Sequence, residues 1–196
     1  HRPDEQALFG IVQGGTNHDL RARSVEQVCN IDLPGYAIGG VAVGESPEKI
    51  VEIVNFTANL LPVNKPRYLM GVGYERDLVA AVAAGMDMFD CVLPTRNGRH
   101  GKVFTAFGEV NLTAPKWKDS ELPIDEENDH PVSRNYSRGY LRHLFHVKES
   151  LSGRLATLHN LSFYGNLMDG IRASIDEGRF ASFKKDFKEK YTSGAS

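Results

Sequence analysis

One carboxylate of this sequence lies in an apolar segment that is typical of a buried strand. The segment reads Asp87-Met-Phe-Asp90-Cys-Val-Leu, and alternation along a strand places Met88 and Asp90 on the same face. A carboxylate on an apolar strand costs free energy unless it is paired or functional. Asp90 therefore either accepts hydrogen bonds from a neighbouring turn or acts as a nucleophile or general base. The strand context favours neither interpretation over the other.

A basic segment follows this carboxylate directly. It reads Pro94-Thr-Arg-Asn-Gly-Arg-His-Gly-Lys102, and its turn-forming residues predict a loop. The positive charge indicates either a solvated surface loop or a contact with an anion such as phosphate. Arginines beside a reactive carboxylate suit a polyanionic substrate such as RNA better than a small sugar.

Four strand–helix repeats must position these groups. We predict strands over residues 7–12, 36–41, 67–72 and 86–93, with helices between them. Ser46-Pro47-Glu48 is a strong helix start, and Gly85 lies where a helix C-cap belongs. Apolar strands in this arrangement predict a parallel sheet buried on both faces. Ligands bind at the carboxyl ends of such strands, and those ends carry Gln13-Gly14-Gly15, Gly39-Gly40, Met70-Gly71 and Asp90.

The second half of the chain departs from this pattern. Residues 94–135 are rich in Gly, Pro, Asn, Asp and Glu, with short β-like pieces at 103–107 and 110–112. Helical spacing then recurs over residues 136–150, 155–168 and 171–175. An aromatic stripe at the C-terminus predicts core packing rather than a cofactor site; it consists of Phe180, Phe183, Phe187 and Tyr191.

The composition excludes several classes of protein. A hydrophobic fraction of 41% and a charged fraction of 24% are ordinary for a globular domain. No apolar run approaches the roughly 20 residues that a membrane-spanning helix needs, and the N-terminal residues show no secretory signal. The net charge of −2 confines any nucleic-acid surface to a local patch. The two cysteines, Cys29 and Cys91, favour buried free thiols, and we expect a cytoplasmic protein.

Four motifs in order resemble the tRNA-guanine transglycosylase family, whose members are also called queuine tRNA-ribosyltransferases. The motifs are Phe9-Gly-Ile-Val-Gln13-Gly, Tyr36-Ala-Ile-Gly-Gly40-Val-Ala-Val-Gly-Glu45, Tyr68-Leu-Met-Gly-Val-Gly73 and Asp87-Met-Phe-Asp90-Cys-Val-Leu-Pro-Thr-Arg96. The resemblance runs from about residue 7 to residue 191 and corresponds to the family's C-terminal half.

The resemblance implies an α/β fold of the (β/α)8 TIM-barrel type. About four βα units, the second half of the barrel, are expected here, with a degenerate zinc-type insertion subdomain and C-terminal helices. The expected domains are a half barrel over residues 1–93, an insertion with a helix over 94–160, and a helical region over 161–196 that packs on the barrel.

The function implied by the resemblance is exchange of the wobble guanine of tRNA for queuine or a 7-deazaguanine precursor. Asp90 matches the nucleophile, which forms a covalent ribosyl-aspartate intermediate. The residues that match the family's base pocket are Gln13, Gly39, Gly40, Met70 and Gly71. The residues that match its RNA-contacting segments are Gly71, Val72, Gly73, Tyr74, Glu75, Arg76, Asp77, Thr95, Arg96, Asn97, Gly98 and Arg99.

The resemblance also implies the partners of this pentosyltransferase. They are the tRNA anticodon loop, a guanine- or queuine-type base, and either a second copy of the chain or the missing N-terminal half, with no membrane. That half holds the aspartate that serves the family as general acid/base, so we expect the isolated chain to be incomplete. The chemistry requires no cofactor.

Zinc binds family members through Cys-x-Cys-x-x-Cys and a distant histidine. Asn128, His130 and Ser133 occupy the three cysteine positions here, and only His159 retains its identity. Asparagine and serine are poor zinc ligands, which leaves His130 and His159 as the only credible pair. The sequence therefore predicts that tightly bound zinc is absent.

Two alternative functions stay open. Besides the enzyme, one alternative is a non-catalytic tRNA-binding accessory subunit of the same family, and the other is an inactive fragment. Retention of Asp90, Gln13 and Arg96 argues against an accessory subunit, whereas loss of the cysteines argues for one. The sequence does not decide the donor base, the tRNAs served or the oligomeric state.

Overall fold

The chain divides into two compact units at Cys91. The computed structural model describes Arg2 and residues 4–193, and the units comprise residues 1–91 and 92–196. One continuous helix over Leu151–Asp176 runs through residue 160, where the expected insertion ends. The three-part division into 1–93, 94–160 and 161–196 stays a prediction.

The first unit contains the four expected strands and the three helices between them. Its elements are β1 (Phe9–Val12), α1 (His18–Cys29), β2 (Gly35–Ile38), α2 (Pro47–Ala58), β3 (Arg67–Met70), α3 (Glu75–Ala83) and β4 (Met88–Asp90). The strands pair in parallel in the order β1-β2-β3-β4. A mixed α/β fold with a parallel sheet is therefore confirmed.

Local sequence signals set the helix ends in this unit. The Ser46 hydroxyl accepts a hydrogen bond from the Lys49 N–H at 3.3 Å, and Pro47 occupies the first turn of α2. The Asn17 side chain caps α1 in the same way. Gly85 follows α3 with a φ of +91°, a conformation that glycine adopts without steric cost.

Helices cover one face of the four-stranded sheet. Val12, Ile38 and Leu69 pair in register and pack with residues of α1, α2 and α3 in one buried core. On the opposite face Ile11 and Met88 remain 44% and 47% exposed. The expected burial of both faces therefore holds for β2, whose four residues are all buried. It does not hold at Ile11 and Met88, because the helices of this unit pack against the other face.

The second unit combines a β-hairpin with helices. Its elements are α4 (Leu93–Arg99), β5 (Lys102–Thr105), β6 (Gly108–Asn111), a short 3-10 turn (Pro115–Trp117), α5 (Pro131–Asn135), α6 (Arg138–His146), α7 (Leu151–Asp176) and α8 (Phe180–Ser193). The hairpin and helices share a buried core that includes Val103, Leu112, Ile124, Leu141 and Leu155. The aromatic stripe of α8 stacks along the helix and is half-buried.

Most of the basic segment after β4, residues 94–99, is a helix rather than the predicted loop, and a turn at residues 100–101 follows it. β4 ends at Asp90, earlier than expected, and Pro94 fits the first turn of α4. Gly98 lies so close to α7 that an added Cβ would stand 2.8 Å from the Thr157 backbone. Packing against α7 therefore favours a helix in a segment whose composition indicates turns.

Among the helices of the described residues, none combines the length and apolar character needed to cross a membrane.

Candidate active site

The predicted site positions of the first unit lie together at the carboxyl end of its sheet. Met70 pairs with Asp90 at the ends of β3 and β4. Gln13 and Gly39 directly follow β1 and β2, and the Gly39 N–H donates to the Val12 carbonyl at 3.0 Å. Because side chains alternate along a strand, Met70 and Asp90 lie on the face that the helices leave open.

Asp90 is held by two hydrogen bonds. Its Oδ1 accepts from the Tyr68 hydroxyl at 2.6 Å and from the Gly71 N–H at 3.1 Å. The bond to Asp90, reinforced by burial, raises the pKa of Tyr68 and keeps the phenol as the donor. The carboxylate itself is exposed, so the expectation of a buried acid is wrong. Together the two donors fix the orientation of this carboxylate.

The Gln13 amide lies directly on the glycine pair that follows β2. A Cβ added to Gly39 would stand 2.7 Å from Gln13 Nε2, and one added to Gly40 would stand 2.3 Å from Gln13 Oε1. Gly40 also has a φ of +63°, in the left-handed region that favours glycine. The pair therefore provides both the turn and the space for this amide.

The loop after Gly40 has an unusual backbone. Ala42 adopts a φ of +62° without being a glycine, a conformation that is maintained only when neighbouring contacts fix it. One such contact is the Glu45 carboxylate, which accepts from the Val43 N–H at 2.8 Å. Backbone hydrogen bonds lower the pKa of Glu45, so this carboxylate is ionised where it holds the loop.

One buried arginine beside these strand ends was not predicted from the sequence. Arg21 on α1 is fully buried, and its guanidinium donates to backbone carbonyls at the ends of β1 and β2. An arginine on an amphipathic helix is normally solvated. The one sequence signal for a buried role is that Arg21 lies on the helix face that also carries the apolar residues.

The RNA-contacting segment of the first unit presents only some of its predicted residues. Val72, Glu75 and Asp77 have buried side chains, because residues 75–77 form the first turn of α3. Tyr74 and Arg76 are exposed, and the Arg76 guanidinium lies 5.4 Å from the centre of the Tyr74 ring. These two are exposed side chains able to reach a surface ligand, and the contacts predicted for the other residues of the segment stay predictions.

The second RNA-contacting segment lies on α4. Arg96 and Arg99 are exposed, whereas Gly98 is buried and Thr95 and Asn97 are half-buried. A spacing of three residues places the two arginines on the same side of a helix. Of the five predicted residues in this segment, the arginines are thus the pair best able to meet a phosphate or a base edge.

The four family zinc positions are occupied by hydrogen-bonding groups. The Ser133 hydroxyl lies 2.8 Å from His159 Nδ1, and His159 Nε2 lies 2.7 Å from the Phe104 carbonyl oxygen. Asn128 Oδ1 accepts from the His130 N–H and the Ser162 hydroxyl, both at 3.0 Å. Burial lowers the pKa of His159, opposed by the Phe104 carbonyl, so the ring is neutral at pH 7.

This donor set does not fit a structural zinc ion. It contains no thiolate, both ring nitrogens of His159 already have partners, and His130 Nδ1 accepts from the Val132 N–H at 3.2 Å. Within the part of the chain that the structure describes, no group of three or more His, Cys, Asp or Glu residues is placed to hold a metal. One buried amide nitrogen, Asn128 Nδ2, has no hydrogen-bond partner there.

Comparison with known proteins places this chain beside one family. The family model described as queuine tRNA-ribosyltransferase matches residues 1–193. A queuine tRNA-ribosyltransferase of Halothermothrix orenii is 51% identical over the whole chain, which covers 52% of that relative. The enzyme of Caldanaerobacter subterraneus subsp. tengcongensis is 53% identical over 96% of the chain, and the match covers 50% of that relative. The enzyme of Dictyoglomus turgidum is 51% identical over 96% of the chain, and the match covers 48% of that relative. The chain thus spans about half the length of the curated relatives it matches.

Proposed function

This chain belongs to the queuine tRNA-ribosyltransferase family, and we propose that it carries the nucleophile and the base pocket of a tRNA-guanine transglycosylase. The reaction replaces guanine at the wobble position of tRNA with queuine or a 7-deazaguanine precursor. One observation supports this most strongly: Gln13, Gly39, Gly40, Met70 and Asp90 occupy the same end of one sheet. This arrangement places a carboxylate beside the groups that we propose to bind a planar base.

Asp90 acts as the nucleophile in this proposal. Its carboxylate attacks the anomeric carbon of the ribose, the bond from that carbon to guanine breaks, and a ribosyl-aspartate ester forms. The incoming base then attacks the same carbon and releases the aspartate, so that two inversions retain the configuration. The Tyr68 hydroxyl and the Gly71 N–H orient Oδ1 throughout.

The base pocket is formed by the Gln13 amide, the backbone of Gly39 and Gly40, and Gly71, with Met70 packing against the plane of the base. The amide and the backbone N–H groups offer the donors and acceptors that the edge of a purine requires. The donors and acceptors on the edge of a purine are arranged differently from those of a pyrimidine, and the groups of this pocket suit the arrangement of guanine-type bases.

The tRNA anticodon loop is the proposed macromolecular substrate. Tyr74 and Arg76 in the first unit and Arg96 and Arg99 in the second are the exposed side chains that suit phosphate and base contacts. The remaining predicted contacts would have to use backbone atoms or half-buried side chains. They lie at Gly71, Val72, Gly73, Glu75, Asp77, Thr95, Asn97 and Gly98.

The four βα units are proposed to form half of a TIM barrel. The open face with Ile11 and Met88 supports this, because the strands of a closed barrel bury such a face. The other half would come from a further part of the same protein and would supply the general acid/base; a homodimer is the second proposed assembly. The two free cysteines and the tRNA substrate support a cytoplasmic location.

The test requires a full-length enzyme, that is, a transglycosylase of the relatives' length that carries this sequence. We expect the wild-type enzyme, mixed with tRNA and a base analogue, to give a covalent adduct on a denaturing gel. Asp90→Asn, a nearly isosteric change, should abolish this adduct. Asp87→Asn is the matched control, because Asp87 lies just before β4 and its carboxylate accepts from the Arg67 N–H at 2.8 Å.

An adduct that survives in Asp90→Asn would remove this residue from its proposed role. Base exchange that is absent from the wild-type enzyme as well would favour a non-catalytic accessory subunit or an inactive fragment.

A further inference from the structure

Arg21 connects the two backbone segments that form the proposed base pocket. The residue is 0% exposed, and its guanidinium donates to four carbonyl oxygens. Nε binds Gly15 at 2.9 Å, Nη1 binds Gly39 at 2.8 Å and Val12 at 3.3 Å, and Nη2 binds Gly40 at 3.0 Å. Two of these acceptors belong to the segment that carries Gln13, and two belong to the glycine pair.

A guanidinium is suited to this connection for geometric reasons. Its donors lie in one rigid plane and point in different directions, so a single side chain can bind two strand ends at once. Burial lowers the pKa of Arg21, opposed by the nearby Glu45 carboxylate, and an arginine nevertheless stays charged at neutral pH. Hydrogen bonds to a charged donor are stronger than those between neutral groups.

The bonds to the glycine pair also set the direction of its N–H groups. In a trans peptide the C=O and the next residue's N–H point in opposite directions, and the described residues contain no cis peptide bonds. The Gly39 carbonyl points at Arg21, so the Gly40 N–H points away from it. By the same geometry the Gly40 carbonyl directs the Val41 N–H away from the guanidinium.

We infer that Arg21 is a positioning residue for the base pocket, because it holds the Gly40 N–H, and the backbone from which the Gln13 side chain extends, in the orientation that a guanine-type base requires. This inference rests on the proposed function. Arg21 touches no substrate in this role; it acts through the peptide groups that it binds.

A second buried arginine provides a matched control. Arg67 is 8% exposed, and its side chain also donates to backbone carbonyls, those of Leu61 at 2.8 Å and Pro62 at 3.2 Å. It lies at the amino end of β3, whereas Arg21 binds the carboxyl ends of β1 and β2. Replacing either arginine therefore removes buried hydrogen bonds, but only one replacement disturbs the pocket.

The experiment compares Arg21→Lys with Arg67→Lys in the full-length enzyme. A lysine keeps the charge but cannot span two strand ends. We expect Arg21→Lys to raise KM for guanine by about tenfold to a hundredfold, since small displacements of a binding group have effects of this size, with KM for tRNA and kcat per active site close to wild type. Arg67→Lys should lower Tm without moving KM for guanine. A purely structural role would instead reduce the active fraction, and so the rate per mole of total enzyme, in both variants, with KM for guanine unchanged in each.

A measurement on the wild-type enzyme keeps the inference testable even where Arg21→Lys does not fold. Hydrogen–deuterium exchange of the peptide that covers residues 36–46 should slow when guanine is added, because the Gly40 N–H then binds the base. Unchanged exchange, or equal KM values for guanine in the two lysine variants, would overturn the inference. Wild-type enzyme without any base exchange would refute the proposed function, and the inference with it.

Discussion

Replacing Gly40 with alanine tests whether the Gln13 amide binds the base. The added Cβ would stand 2.3 Å from Gln13 Oε1, far inside van der Waals contact. Gln13 is exposed and its amide is the end of a flexible chain. The clash should therefore displace the side chain and leave the sheet intact.

Two separate magnitudes follow from this geometry. Alanine at a φ of +63° costs about 1 kcal/mol of folding free energy, which lowers Tm by a few degrees in a domain of this size. Loss of the amide's hydrogen bonds to the base costs about 1–3 kcal/mol of binding free energy, or roughly 5- to 150-fold in Kd for guanine.

The assay is calorimetric titration of the full-length enzyme with guanine, together with thermal unfolding. Gly178→Ala is the matched control: its φ is +69°, and an added Cβ there meets nothing within 4 Å. Both variants should lose similar stability, and only Gly40→Ala should lose affinity. A Kd for guanine that agrees within about twofold between the two variants would refute the role of Gln13 in holding the base.

Three further predictions concern the RNA, the metal and the buried acid of α3. Arg96→Ala and Arg99→Ala should each weaken tRNA binding by about 1–3 kcal/mol where the guanidinium reads a base edge, with guanine binding unchanged; equal losses for both ligands in filter-binding and titration experiments would mean that α4 acts through folding. Purified protein should contain substoichiometric zinc, and chelator should leave its Tm unchanged, because no thiolate occupies the family positions; one tightly held zinc per chain in elemental analysis would contradict this. Burial raises the pKa of Asp77, so its charge opposes folding above that pKa, and Asp77→Asn should raise Tm at pH 7 but much less near pH 4. A gain in Tm that is the same at both pH values would mean that the charge is not the cause.

The local sequence determined the order and type of the elements in the first unit. Ser46 and Pro47 predict where α2 begins, and Gly85 predicts where α3 ends, because capping depends on residues within one helical turn. The motifs around Gln13, Gly40 and Asp90 were sufficient to predict the family. These signals depend only on residues that are close together in the sequence, so they can be identified without the tertiary structure.

Contacts between distant residues decided what the sequence left open or indicated wrongly. Residues 94–99 of the basic segment form a helix because Gly98 lets α4 approach Thr157 on α7, whereas composition alone indicates turns there. Asp90 is exposed rather than buried because the helices of the first unit cover only the other face of its sheet.

The role of Arg21 depended on tertiary structure for the same reason. Its acceptors on Gly39 and Gly40 lie 18 and 19 residues away, and the partner of Ser133, His159, lies 26 residues away. A polar side chain's free energy depends on whether burial brings it a partner. The sequence determines the identity and spacing of polar side chains such as Arg21 and Ser133, but only the folded chain determines which groups they contact.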